Sequence, residues 1–308
     1  MMRAMSIALP RPSVAARTLS PLILACLAAT WLIWGSTYLA IKWALVSFPP
    51  FFQMGTRFVA AGLVLGALAR WRGAAWPSRG EWLGATVFGA LLLGGGFGAT
   101  ALAQTHVSSA LVVAFVAVVP ALVALFEWPY GLRPSRFEAA GIGLGLAGVL
   151  LLTRGQGFAA SLPGLLAMIA ATVSWSLGSV WSKRGLPGGR RLAAAPGAAG
   201  VAGQMLAGGV LLLAASWIAG EKPRWPPDPR ALACWVYLVL AGSLVGFSAY
   251  MLLLERTSTA LASSYSFVNP VIGLVLGVTL GGERVSTLEA LAAGVVTAGV
   301  VLLVAARR

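Results

Sequence analysis

Residues 31–57 read WLIWGSTYLAIKWALVSFPPFFQMGTR. An apolar run reaches Lys42, turns at Pro49-Pro50, and re-enters apolar sequence with Arg57 about two turns inside. A membrane-spanning helix needs about 20 apolar residues. A cation deep inside one is costly unless it is paired or used. The stretch therefore reads as the end of one span, a tight turn, and a second span that carries a deep positive charge.

The same pattern fills the chain. Of its 308 residues, 59% are hydrophobic and 10% charged, against about 25% charged in soluble domains. The sequence predicts an all-α membrane protein with ten spans, at 21–45, 51–70, 81–102, 107–129, 136–153, 160–183, 196–219, 230–252, 258–280 and 286–305. No polar stretch is long enough for a separate soluble domain. The basic tail, residues 1–20, precedes an apolar segment too long for a secretory h-region of about 7–15 residues, so that segment is read as a retained first helix. With the N-terminus cytoplasmic, fifteen of the 22 Lys and Arg fall on the cytoplasmic side and five on the outer side, with Lys42 and Arg57 inside spans. That bias follows the positive-inside rule and accounts for the net charge of +14 without nucleic acid as a partner. Cys26 and Cys234 lie in apolar runs and read as small buried hydrophobes rather than a disulfide or metal site.

The chain also repeats itself. WGSTYLAIK (Trp34–Lys42) matches WSLGSVWSK (Trp175–Lys183), and RFVAAGLVL (Arg57–Leu65) matches QMLAGGVLL (Gln204–Leu212). Gly96-Phe97 matches Gly246-Phe247, Pro120 matches Pro270, GLRPS at Gly131 matches GERVS at Gly282, and AGVLLL at Ala147 matches AGVVLL at Ala298. The offset drifts from 141 to 151 in one direction, as in duplicated halves with small insertions. The halves are residues 21–155 and 156–305, followed by a cytoplasmic end, 306–308. Five spans per half is an odd number, which requires the halves to lie inverted in the membrane. Such repeats typify secondary transporters with a substrate site at the repeat interface.

These residues resemble the EamA-type drug/metabolite transporter family over about residues 22–305. The resemblance implies ten helices in two inverted five-helix repeats, cytoplasmic termini, the inner membrane, and export of small metabolites. Within the family the chain is similar to exporters of amino acids, aromatic ones included, and of amphipathic drugs. It departs from the pattern where Gly131-Leu132 replaces the Gly-Glu pair kept at Gly282-Glu283, and where Gln204 replaces the arginine of span two.

Seven residues are candidates for the substrate site. Arg57 lies about 10 Å into its helix, beyond easy snorkelling, and no first-half carboxylate shares its depth; a guanidinium suits a substrate carboxylate. Lys42 either snorkels to the interface or shares a cavity face with Trp34 and Tyr38. Trp34 and Trp175 sit near mid-span, where an interfacial belt is not expected, and offer stacking surfaces. Tyr265 and Asn269 share a helix face next to Pro270, and Pro270 and Pro120 are candidate helix breaks that line a cavity. His106 sits in an outer connection, and Trp43 fits the interfacial belt. No Asp lies in any span, which leaves a facilitated or potential-linked mode open. GGGFG at Gly94 sits inside a span and is not a nucleotide loop. Catalytic constellations, metal ligands and cofactor motifs are missing. The expected partners are a small-molecule substrate and the bilayer, in a monomer or a homodimer. Alternatives are a sugar or nucleotide-sugar carrier, or a non-transporting membrane enzyme or scaffold.

Overall fold

A computed structural model describes residues 19–107, 112, 115–152, 161–187, 192–281 and 286–306. Most of the N-terminal tail, the Gly282-Glu283 pair and the last two arginines fall outside them. The described residues form helices and no strand. The main helices are α1 (Pro21–Ala44), α2 (Pro50–Trp71), α3 (Arg79–Ala103), α4 (Val119–Glu127) and α5 (Arg136–Leu152). The second half contributes α6 (Leu162–Arg184), α7 (Gly197–Ile218), α8 (Pro229–Arg256), α9 (Tyr265–Gly281) and α10 (Thr287–Ala305). Each of these helices falls within or overlaps a predicted span, though Val119–Glu127 covers only part of 107–129. Six (α1, α2, α3, α6, α7 and α8) are long and apolar enough to cross a membrane. The described parts of α4, α5, α9 and α10 are shorter or less apolar.

Local chemistry sets the ends. Ser78 and Glu81 form a capping box on α3, with Ser78 N donating to Glu81 Oε2 at 2.7 Å. Ser135 and Glu138 do the same for α5. Asp228 accepts from Arg230 N and Ala231 N at the start of α8. Each cap satisfies amide donors that the first turn leaves free. Proline occupies the first turn of α1, α2, α6 and α8, where its missing N–H costs nothing.

The outer faces are apolar: Leu32, Leu63, Val64, Val210 and Val301 are exposed, as suits helices solvated by lipid. Trp71 and Trp76 are exposed at one end of the bundle's helices, and Trp217 and Trp225 at the ends of α7 and α8. Such placement fits interfacial belts. Inside, buried Thr30, Thr37 and Ser176 return their hydroxyls to carbonyls three or four residues back, which hides them without a distant partner.

Two helix pairs run together along extended, close seams. Along α2 and α7, a Cβ placed on Gly62 would fall 3.0 Å from Leu206 N, and one on Gly209 would fall 2.9 Å from Val59 N. Along α5 and α10, a Cβ on Gly141 would fall 2.8 Å from Gly299 O, and one on Gly148 3.1 Å from Ala292 O. Small residues let the backbones approach this closely where no hydrophobic effect drives helices together. In both seams the partner's number falls as the first helix's number rises, so the helices run antiparallel.

The third and eighth helices share a rarer feature. Gly89–Gly98 within α3 and Leu238–Phe247 within α8 are π-helical, ten residues each. Helix α4 starts after a turn at Ala117-Val118, with Pro120 in its first turn. The break ahead of α9 falls at Ser263-Ser264, between the single turn Thr259–Ala262 and Tyr265. Pro270 lies inside continuous helix, so the break expected at that residue is displaced six residues earlier. There the hydroxyl-rich Ser263–Ser266 run supplies local turn bonds, including Ser266 Oγ to Ser263 O at 2.8 Å.

Candidate functional site

The cavity of interest is built by α1, α3, the residues around the start of α4, α6 and α9. Helix α1 presents Trp34, Thr37, Tyr38 and Ile41, one face at helical spacing. The π-helical part of α3 supplies Gly96 and Phe97, followed by Thr100. Val116 and Val119 come from the fourth span, Ala171, Thr172 and Trp175 from α6, and Tyr265 and Asn269 from α9. Its volume is about 50 Å³, room for about three or four waters.

Aromatic rings form its walls. Trp34 and Tyr265 meet edge to face at 4.7 Å, Trp34 and Trp175 at 5.7 Å, and Phe97 and Trp175 at 5.2 Å. Tyr250 backs both tryptophans, at 5.3 Å from Trp34 and 4.9 Å from Trp175. Such pairs add about 0.5–1.5 kcal/mol each beyond burial. The two tryptophans are seated reciprocally. A Cβ on Gly96 would fall 2.7 Å from the Trp175 ring, and one on Gly246 2.5 Å from the Trp34 ring. Trp34 Nε1 also donates to Gly242 O at 3.1 Å, which fixes its ring.

Polar groups are few. Asn269 is buried, and neither its Oδ1 nor its Nδ2 meets a hydrogen-bond geometry, although the Tyr38 hydroxyl is a polar neighbour. Trp175 Nε1 likewise meets no hydrogen-bond geometry, although the Tyr250 and Tyr265 hydroxyls are polar neighbours. Buried polar atoms left unpaired cost about 1–3 kcal/mol each. Where they line a cavity they are available to a ligand. Among the described residues, no ionised side chain lines this cavity.

Arg57 stands one layer back. It is fully buried. Its Nε donates to Ser243 Oγ at 2.8 Å and its Nη1 approaches Met54 Sδ at 3.5 Å. The guanidinium lies 4.7 Å from the Phe58 ring and 5.1 Å from the Phe97 ring. Among the described residues it forms no ion pair, and its Nη2 has no hydrogen-bond partner. Cation–π contacts are worth about 0.5–2 kcal/mol each, which offsets only part of the cost of burying a cation.

Of the seven candidates, Trp34, Tyr38, Trp175, Tyr265 and Asn269 come together on one cavity. Arg57 is separated from it by Phe97 and Thr37. Lys42 does not take part: its side chain is exposed. The inward face of α1 runs through Trp34, Tyr38 and Ile41, and the next residue is rotated about 100° away. Trp43 stacks on the Arg230 guanidinium at 3.5 Å, and His106 is exposed beside Thr105. Sequence reasoning missed Phe97, Thr37, Tyr250 and Ser243. The Gly96-Phe97 and Gly246-Phe247 repeat was the one signal that pointed at the first of these.

A helical membrane bundle with a central aromatic cavity is the architecture of a carrier, and sequence comparison agrees. The EamA-like transporter family matches residues 19–154 and again 162–305, and the chain belongs to it. It is 38% identical over 288 residues to the uncharacterized inner membrane transporter YedA of Escherichia coli (strain K12), covering 93% of this chain and 92% of that one. Protein PecM of Dickeya dadantii (strain 3937) is 26% identical over 255 residues, 80% of each chain. A solved structure titled "Crystal structure of protein" superposes with a TM-score of 0.75 at 25% identity, covering 94% of this chain and 99% of that one. The chain is a multi-pass inner-membrane transporter.

Proposed function

We propose that this transporter exports small amphipathic metabolites and drugs, amino acids foremost and aromatic ones among them. It works by alternating access between two inverted five-helix halves, 21–155 and 156–305, with ten spans and cytoplasmic termini. The observation that carries the reading is the reciprocal seating of Trp34 on Gly246 and Trp175 on Gly96 at the cavity. Repeat-related residues exchange partners there, as they do about a two-fold axis. The antiparallel α2–α7 and α5–α10 seams pair each helix with its own repeat counterpart, which supports inversion. The family match, made once per half, supports duplication. A site on the axis between the halves is where a carrier can expose one ligand to either side.

Aromatic walls with one amide favour a planar or apolar substrate body. The lack of lining charge weighs against a nucleotide sugar, whose phosphates need cations. The test is uptake of a labelled amino-acid panel by proteoliposomes carrying the wild type or Trp34→Ala. Uptake that falls at least about tenfold in the variant, the loss of about 1.4 kcal/mol of transition-state binding, is expected. No amino acid moved by the wild type would remove amino acids from the substrate range.

A further inference from the structure

We infer that Arg57 is a covered carboxylate subsite and that Phe97 is its lid, so that the binding site has an aromatic compartment and a hidden anionic one. This rests on the transport reading for its substrate, and on the geometry alone for the site.

Arg57 is fully buried with a free Nη2. That nitrogen is close to the cavity. A Cβ on Gly242 would fall 3.5 Å from Arg57 Nη2 and 3.3 Å from the Thr37 methyl, and Thr37 lines the cavity. Phe97 completes the wall: one part of it lines the cavity, while its ring lies 5.1 Å from the guanidinium. Ser243 holds Nε and Met54 Sδ approaches Nη1 at 3.5 Å, which leaves Nη2 for a carboxylate oxygen. A carboxylate matches the guanidinium in charge and shape.

The lid sits on a segment suited to movement. Phe97 belongs to the π-helical stretch Gly89–Gly98, four of whose last five residues are glycine. π-Helical segments are rare and are often found at functional sites. Rotation of Phe97 would do two things at once. It would enlarge the cavity, and it would uncover Nη2. The second half carries the neutral Gln204 where the first carries Arg57, so the anionic compartment exists on one side of the axis only.

The experiment measures thermal unfolding of purified protein in detergent, with acetate exchanged for chloride at constant ionic strength, and acetamide as the neutral probe. Opening the lid with Phe97→Ala should let acetate raise Tm by about 2 °C or more, with a smaller rise in the wild type and none for acetamide. Arg57→Gln, alone and combined with Phe97→Ala, should abolish the acetate rise; glutamine is what the fold already holds at the matching position 204. Arg57→Lys should keep a reduced rise. An acetate shift that survives in the double variant, or one no larger in Phe97→Ala than in the wild type, overturns the proposal. A second arm compares uptake of L-phenylalanine with that of its amide. Arg57→Gln should lower the first about tenfold or more and leave the second within about twofold. Equal losses for both overturn the carboxylate role. Should wild-type vesicles move no amino acid, the export reading fails by itself, while the acetate measurement still decides the site.

Discussion

Asn269 and Val119 lie 150 residues apart, at matching places in the two halves, and both line the cavity. The valine is satisfied there; the amide is not. Asn269→Val removes two buried unpaired polar atoms, each costing about 1–3 kcal/mol. The variant is therefore expected to melt several degrees higher than the wild type while its uptake falls, and a variant that loses both stability and uptake would show the amide to be structural. Lys42 gives the opposite contrast. Its side chain is exposed, so Lys42→Ala should leave proteoliposome uptake within about twofold of the wild type, since exposed substitutions stay within about 0.5 kcal/mol. The residue types at 34, 57 and 269 were legible as unusual for a membrane span. Which of them touch the cavity was not, because that depends on helix rotation.

Among the helices, the α2–α7 seam leaves no room for an added side chain at Gly209. A side chain at Gly209 would meet backbone atoms, Val59 N at 2.9 Å and Gly55 O at 3.0 Å. Backbone cannot rotate away, so Gly209→Ala must spread the two helices at a cost of about 1–3 kcal/mol. Gly143, with no heavy atom within 4 Å of an added Cβ, should accept alanine without loss. Thermal unfolding of the two variants side by side checks the contrast; equal stability would place the seam elsewhere. Helix positions were readable because length and hydropathy are local properties. The π-helical stretches and the turn at Ser263-Ser264 were not, because their composition matches that of ordinary membrane helix. Pro270 was misleading for the complementary reason: packed neighbours can keep a helix continuous through a proline.

At the scale of the whole molecule, a set of polar ties joins α4, α6 and the segment ahead of α9 at one end of the cavity helices. Glu127 Oε1 at the end of α4 accepts from Arg184 at the end of α6, at 3.1 Å, and from Thr259 Oγ1 ahead of α9, at 2.7 Å. Tyr130 donates to Gly185 O at 2.6 Å, and Lys183 donates to Thr257 O. The proposed alternating-access cycle requires these ties to be released once per turn. A partly exposed ion pair is worth about 0.2–1 kcal/mol, enough to shift a two-state balance up to about fivefold. Glu127→Gln should therefore change the uptake rate a few-fold, and the exchange Glu127→Arg with Arg184→Glu should recover much of it. If the exchanged pair behaves like the sum of its single variants, the tie has no part in the cycle.

The sequence by itself determined the membrane class, the helix order, the duplication and the family. Those rest on hydropathy, loop charge and repeat spacing, which are properties of the chain read in one dimension. Only the tertiary structure decided which side of each helix faces inward. One residue along α1 separates the buried Ile41 from the exposed Lys42, and the side chains of Phe97 and Thr37 separate Arg57 from the cavity. A rotation of about 100° per residue turns an identical composition into either a lining or a lipid-facing side chain. That choice is made by the packing of neighbouring helices.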